Sequence, residues 1–129
     1  MTLDNFSVVK KWIDVYNSKK FEDLKPLFAE NATYTWMPDG MTHHGVEGIE
    51  KGMRLVLTGV PDLVTQINNS VVQGDKIAIE VHWTGTHTGD YMGVKPTGKK
   101  IDLYGLYLIE MENGKIKSAR EFYYGWPAS

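Results

Sequence analysis

Residues 76–87, KIAIEVHWTGTH, decide the fold. Ile77, Ile79, Val81 and Trp83 fall on one side of an extended chain, and Lys76, Glu80 and His82 on the other. Side chains of a strand point alternately to opposite faces, so this pattern predicts a strand from Lys76 to His87 with one face in a core. On its N-terminal side, Gly74-Asp75 reads as a turn and Leu63 to Val72 as a preceding strand. On its C-terminal side lies a Gly-rich loop from Thr88 to Gly98. Two more strands follow, Ile101 to Glu112 and Lys115 to Trp126. Asn113-Gly114 between them is a strong hairpin signal, because both residues tolerate positive φ.

The first half of the chain reads as helical. Phe6, Val9, Ile13 and Tyr16 recur at helical spacing, with Thr2 or Asp4 as candidate caps. Val8, Trp12 and Val15 widen the apolar stripe, so more than one side is covered. Asn17-Ser18 ends the helix. A short second helix is predicted around Phe21 to Phe28, with Phe21, Leu24, Leu27 and Phe28 on one face and Pro26 limiting its regularity. Ala32 to Met37 alternates like a strand, with Tyr34 and Trp36 on one face, and Pro38-Asp39-Gly40 turns the chain. A third helix is predicted from Val46 to Leu57, with Val46, Ile49, Met53 and Leu57 as its apolar positions. His43-His44 precedes it and is expected to be exposed.

Helices first and hairpin-linked strands afterwards make an α+β fold rather than an alternating βαβ layout. The expectation is a cone-shaped, curved antiparallel sheet packed on N-terminal helices, with an open mouth for a ligand. The 129 residues suit one domain, 1–129. The last two strands add a further expectation. One face carries Leu103, Tyr107, Ile109, Met111, Ala119 and Tyr123. The other carries Tyr104, Leu106, Leu108, Ile116, Phe122 and Tyr124. A sheet apolar on both faces needs a second cover. A second copy of the chain is the expected cover, giving a two-fold homodimer.

The chain has no cysteine, which excludes a thiolate nucleophile, a disulfide framework and a zinc–thiolate site and fits a reducing cytoplasm. The formal net charge is −2, with acids and bases interspersed, so no nucleic-acid footprint or polybasic membrane patch is expected. No apolar run approaches the length of a membrane span. The opening MTLDNFSVVKKW lacks the charged start and apolar stretch of a signal peptide. Four Trp, seven Tyr, four Phe and six Met are many large apolar groups for so short a chain, and such groups line pockets for flat organic ligands as well as filling cores.

Glu121 is the leading candidate for chemistry. It lies mid-strand among aromatics, on the face of Ala119 and Tyr123. A carboxylate there is paired, hydrogen-bonded or protonated, and desolvation raises its pKa towards the range of a general acid or base. The plainer role is an ion pair with Arg120 or with a base on a neighbouring strand. Tyr107 is the candidate partner, and core packing is its plainer role. A two-residue loop at Asn113-Gly114 would put Tyr107 and Glu121 on opposite faces; a three-residue loop with a bulge would put them on the same face. Tyr16, Tyr34, Trp36 and Trp83 either line a pocket wall or pack as core. His87 opens the Gly-rich loop, where it either meets a ligand or ends a strand in solvent. His43, His44, His82 and His87 match no metal-ligand spacing, and no nucleotide or hydrolase motif is present.

Gly85-Thr86-His87-Thr88-Gly89, followed by Gly93-Val94-Lys95-Pro96-Thr97-Gly98-Lys99-Lys100, resembles the G-x-H-x-G…G-x-x-P-T-x-[RK]-[RK] run of the SnoaL-like polyketide cyclases. Asn113-Gly114-Lys115-Ile116 with Arg120-Glu121 resembles the run that closes their sheet. Val15-Tyr16-Asn17, His44-Gly45 and Pro61-Asp62 match further features. The resemblance implies a cystatin-like α+β barrel of the superfamily named for nuclear transport factor 2, usually dimeric. It implies ring closure by intramolecular aldol condensation without metal or cofactor, started by a carboxylate that takes a proton next to a carbonyl. By the same resemblance, Glu121 stands where the family has its catalytic Asp, Tyr107 where it has an accompanying His, and Tyr16 at the aromatic ending the first helix. The expected ligand is a small apolar molecule, held also by Tyr34, Trp36, Trp83, His87 and Tyr123.

Overall fold

The computed structural model describes residues 4–125. Helix α1 spans Asn5–Ser18. Asp4 caps it, its side chain accepting from the Ser7 N–H at 2.8 Å, which satisfies one of the orphan donors of the first turn. The alternative cap, Thr2, lies outside the described residues. Val8, Val9, Trp12, Ile13, Val15 and Tyr16 are all buried, so the widened stripe is covered as its width implies. The second helix expected over 21–28 is instead two single 3-10 turns, Phe21–Asp23 and Lys25–Leu27. Pro26 has no N–H to give a longer helix, and Phe28 already starts a strand.

Strand β1 runs Phe28–Trp36, β2 Met41–His44, and helix α2 Gly45–Gly59. The strands β3 Val64–Gln73, β4 Lys76–Thr86, β5 Lys100–Glu112 and β6 Lys115–Tyr123 follow. The sheet order is β2-β1-β6-β5-β4-β3. The predicted meander β3-β4-β5-β6 is antiparallel throughout. The sheet as a whole is mixed, curved and unclosed, because β1 returns beside β6 in parallel. An antiparallel expectation drawn from hairpins could not include that pair, which no short turn connects. β2 was not expected either. It pairs with β1, Tyr34 opposite His43, and so His43 is half-buried rather than exposed.

The hairpin after β5 has a two-residue loop, with Asn113 at φ 52° and Gly114 at φ 78°. Such a loop alone would separate Tyr107 from Glu121. A shift in register between Glu110 and Met111 changes that: Met111 faces Ile116, but Glu110 faces Ser118. The extra residue is a bulge, and beyond it Tyr107 and Glu121 are direct partners. The same bulge corrects Ile116, placed by simple alternation on the outer face and found fully buried. The expected strand end at Trp126 lies outside the described residues.

The helices pack on the inner face of the sheet, and one continuous core results. Ile77, Ile79, Val81, Tyr107, Ile109 and Ala119 from the sheet join Trp12 and Ile13 of α1 and Ile49 and Met53 of α2. The outer face keeps Tyr104, Leu106 and Phe122 exposed. Among the described residues no helix is long and apolar enough to cross a membrane.

Candidate active site

Glu121 sits on β6 between two aromatic neighbours in register. Tyr107 of β5 is its partner on one side and Trp36 of β1 on the other. Tyr34 precedes Trp36 by two residues and so shares its face. The Tyr34 hydroxyl donates a hydrogen bond to Glu121 Oε1. Trp12 of α1 locks these rings from behind. Its centroid lies 5.4 Å from Tyr34 and 5.3 Å from Tyr107, at 89° and 83°. Edge-to-face contacts of this kind fix ring orientation as well as adding stability. The Trp12 N–H in turn donates to Met53 Sδ of α2 at 3.4 Å. The position of the carboxyl group is therefore set by both helices and three strands.

The other side of Glu121 is open space. A cavity of about 460 Å³, counting its mouth, is lined by Tyr16, Trp36, Val56, Val60, Leu63, Trp83, Tyr91, Ile101, Leu103, Tyr107, Glu121 and Tyr123. Among the described residues Glu121 is the one carboxylate of that wall, and it is 8% exposed. Burial raises its pKa from 4.5 to about 7, against the opposing influence of the Tyr34 and Tyr107 hydroxyls. Burial, and then the nearby Glu121 charge, hold the phenols of Tyr16, Tyr34 and Tyr107 well above their usual range. Near neutrality the site thus contains one group that exchanges a proton and several that only donate hydrogen bonds. Two buried donors beside Glu121, Tyr107 Oη and Trp36 Nε1, complete no hydrogen bond of ordinary geometry.

Six of the residues singled out in the sequence meet in this cavity: Glu121, Tyr107, Tyr16, Trp36, Trp83 and Tyr123. Tyr34 lies behind Glu121 rather than in the wall. His87 is also outside the wall, and it is buried rather than a solvated strand end. Its Nδ1 lies 3.1 Å from Thr97 Oγ1, its N–H donates to Lys99 O, and its carbonyl accepts from Gly98 N–H. His87 therefore pins both ends of the Gly-rich loop together. His82 faces outward, 2.5 Å from Asp102 Oδ1 and stacked on Tyr104. Among the described residues, no three His, Asp or Glu side chains gather as a metal site would require.

Tyr91 is the aromatic lining residue that the sequence reading missed, along with the aliphatic Val56, Val60, Leu63, Ile101 and Leu103. Tyr91 sits in the Gly-rich loop, where periodicity carries no signal. The loop reaches the cavity by docking on the end of α2: Gly89 N–H donates to Gly59 O at 3.0 Å. A Cβ on Gly89 would fall 1.9 Å from Thr58 O, so only glycine permits this approach. An aromatic at 91, between Gly89 and Gly93, was the available clue.

The family profile described as SnoaL-like polyketide cyclase matches residues 6–124. Among solved structures, a candidate SnoaL-like polyketide cyclase from Jannaschia sp. CCS1 superposes with a TM-score of 0.86 at 20% identity, covering 93% of this chain and 85% of that one. IdmH, a candidate polyketide cyclase from Streptomyces antibioticus, gives 0.82 at 22% identity, covering 95% and 93%. A nuclear transport factor 2-like protein of unknown function from Burkholderia pseudomallei K96243 gives 0.77 at 16% identity, covering 92% and 89%. No curated protein matches the sequence. At these identities the structures establish the fold, and the profile, spanning nearly the whole sequence, establishes the family. The chain belongs to the SnoaL-like polyketide cyclase family.

Proposed function

We propose that this protein is a cofactor-free acid/base enzyme of the cyclase or isomerase type. Glu121 takes a proton from a carbon next to a carbonyl. The C–H electron pair becomes the enolate, and Tyr107 Oη donates a hydrogen bond to the developing oxyanion. Return of the proton to another atom gives an isomer. Attack of the enolate carbon on a second carbonyl gives a ring, and the resulting alkoxide recovers the proton. The observation that carries this reading is a buried carboxyl group, on the wall of an aromatic cavity, whose pKa is raised to about 7. Such a group is an effective base and acid at the same pH. Membership of the family supports the reaction type, and the apolar wall supports a small, flat, apolar substrate. The lack of cysteine supports a reducing, cytoplasmic setting.

The test needs no known substrate. Small cyclic ketones and aromatic β-keto esters are incubated with the protein in D2O, and exchange of the protons next to the carbonyl is followed by NMR. The wild type is expected to accelerate exchange, and Glu121→Gln to be slower by about a hundredfold or more. Equal exchange by both proteins would overturn the reading. A phenol in place of the family's imidazole favours a second reading, a non-catalytic binding protein. A compound that binds but returns unaltered after long incubation favours it.

We also propose a homodimer through the outer sheet face. Tyr104, Leu106 and Phe122 are exposed together there, and a second copy would cover them isologously. Light scattering at micromolar concentration is expected to give twice the chain mass of 14.6 kDa; a monomer would rule the dimer out.

A further inference from the structure

The cavity wall has a charge balance that a neutral ligand leaves unresolved. Among the described residues, six aromatic side chains line it and Glu121 is its one acidic group. No Lys, Arg or His is among the described residues that line it. The rings do not stack on one another to fill the space. Trp83 meets Tyr123 at 86° with centroids 6.3 Å apart, and Tyr107 at 57° and 6.0 Å. Rings at steep angles present faces and edges to a shared volume, and a cation within about 6 Å of an aromatic face is attracted by the ring quadrupole. Asp39, exposed in the turn after β1, is a lesser negative charge felt by Tyr123. Among the described residues Glu121 receives hydrogen bonding from a phenol and makes no ion pair. A buried carboxylate in that position is stabilised by a counter-charge that the ligand can bring.

We infer that this cavity takes a small organic cation, a protonated or quaternary amine with apolar substituents, seated against Glu121 and ringed by Trp36, Trp83, Tyr107 and Tyr123. The inference goes beyond the proposed reaction and holds whether or not the ligand is turned over. It requires Glu121 to be ionised when the cation is bound. With a carboxyl pKa of about 7, cation affinity rises with pH up to neutrality and is level above it.

The titratable groups that face Glu121 are few. They are Tyr16 from α1, Tyr34 from β1, Tyr107 from β5, Tyr123 from β6 and Tyr91 from the loop, with His43 of β2 packed behind Tyr34 and Trp36. Burial raises Tyr16, Tyr34, Tyr107 and Tyr123 further from neutrality and lowers His43. Replacing Glu121 separates its titration from that of His43.

The experiment compares choline with its neutral isostere 3,3-dimethylbutan-1-ol by calorimetric titration, between pH 5.5 and 8.5. At pH 8 choline is expected to bind at least tenfold more tightly. Its affinity should fall about tenfold per pH unit well below 7, while that of the alcohol stays constant. In Glu121→Gln the preference for choline should shrink to the part that the rings supply and lose its pH dependence. Equal binding of the two at pH 8, a preference undiminished in Glu121→Gln, or binding of neither would each overturn the inference. The acid/base reading is untouched by those outcomes, because exchange of ketone protons still reports on it separately.

Discussion

Glu121→Gln is expected to be more stable than the wild type at pH 8 by roughly 3 kcal/mol, and no more stable at pH 4. The reason is the raised pKa of the buried carboxyl group, about 7 against 4.5. Between those values the folded state holds a proton that the unfolded state has released. Stability then falls as pH rises through that window. It is complete below 4.5, falls until about 7 and is level beyond. An amide keeps the shape and can still accept from Tyr34, but it never ionises, so it escapes the loss. Urea denaturation of both proteins at pH 4 and pH 8 measures the difference. A variant less stable than wild type at pH 8 would mean that the carboxylate is well compensated where it sits. A stabilising substitution at the reacting group is the expected signature of a site that holds a destabilised side chain for chemistry.

Trp12→Ala is expected to destabilise the fold by about 3–5 kcal/mol. Trp12 is fully buried and meets the rings of Phe28, Tyr34 and Tyr107 edge-on, while its N–H reaches Met53. Removing the indole deletes the packing that holds α1, α2 and the Glu121 platform in one arrangement, and leaves a cavity among rings too rigid to collapse into it. Because small domains have only about 5–15 kcal/mol in total, the variant is expected to lie near the edge of unfolding. Trp12→Phe, which keeps a ring, should lose clearly less. Urea midpoints with an unchanged slope measure both. Water reaching Tyr34 and Tyr107 in Trp12→Ala should also return the Glu121 pKa towards 4.5. A loss below about 1 kcal/mol would show that the indole is not the keystone of the site.

The parts of the fold carried by periodicity were legible in the sequence. The alternation at Ile77, Ile79, Val81 and Trp83 placed β4, and Phe6, Val9, Ile13 and Tyr16 placed α1, because each pattern reports which face is buried. Features that depend on a distant partner were not legible. β1 pairs in parallel with β6, a contact more than eighty residues away in the chain. β2 is four residues long and alternates in a way that four residues cannot establish. At the hairpin the sequence gives the turn at Asn113-Gly114 but not the bulge that follows it, since a bulge is a matter of register rather than composition. That single extra residue decides whether Tyr107 and Glu121 form a pair at all.

The candidate site divides along the same line. Glu121 stands out in the sequence as a carboxylate among aromatics, and Tyr16, Trp36, Trp83 and Tyr123 as aromatics at inward positions. His87 stands out as well, yet its buried ring ties down the Gly-rich loop. Tyr34 reads as a wall residue and proves to be the donor behind the carboxyl group. Tyr91 escapes the sequence because a loop has no period to betray an inward side chain. Residue type pointed to the chemistry; three-dimensional register assigned the roles.

The proposed chemistry turns on the ionisation of one side chain, and the pKa of Glu121 measures it. Carbon NMR of protein labelled at the Glu carboxyl carbons gives it, with Glu121→Gln to assign the signal. A midpoint near 7 is the predicted result. A midpoint near 4.5 would mean a solvated or compensated carboxylate, and it would contradict the desolvated acid/base group on which the proposed chemistry, the pH-dependent stability and the pH dependence of the cation preference all depend.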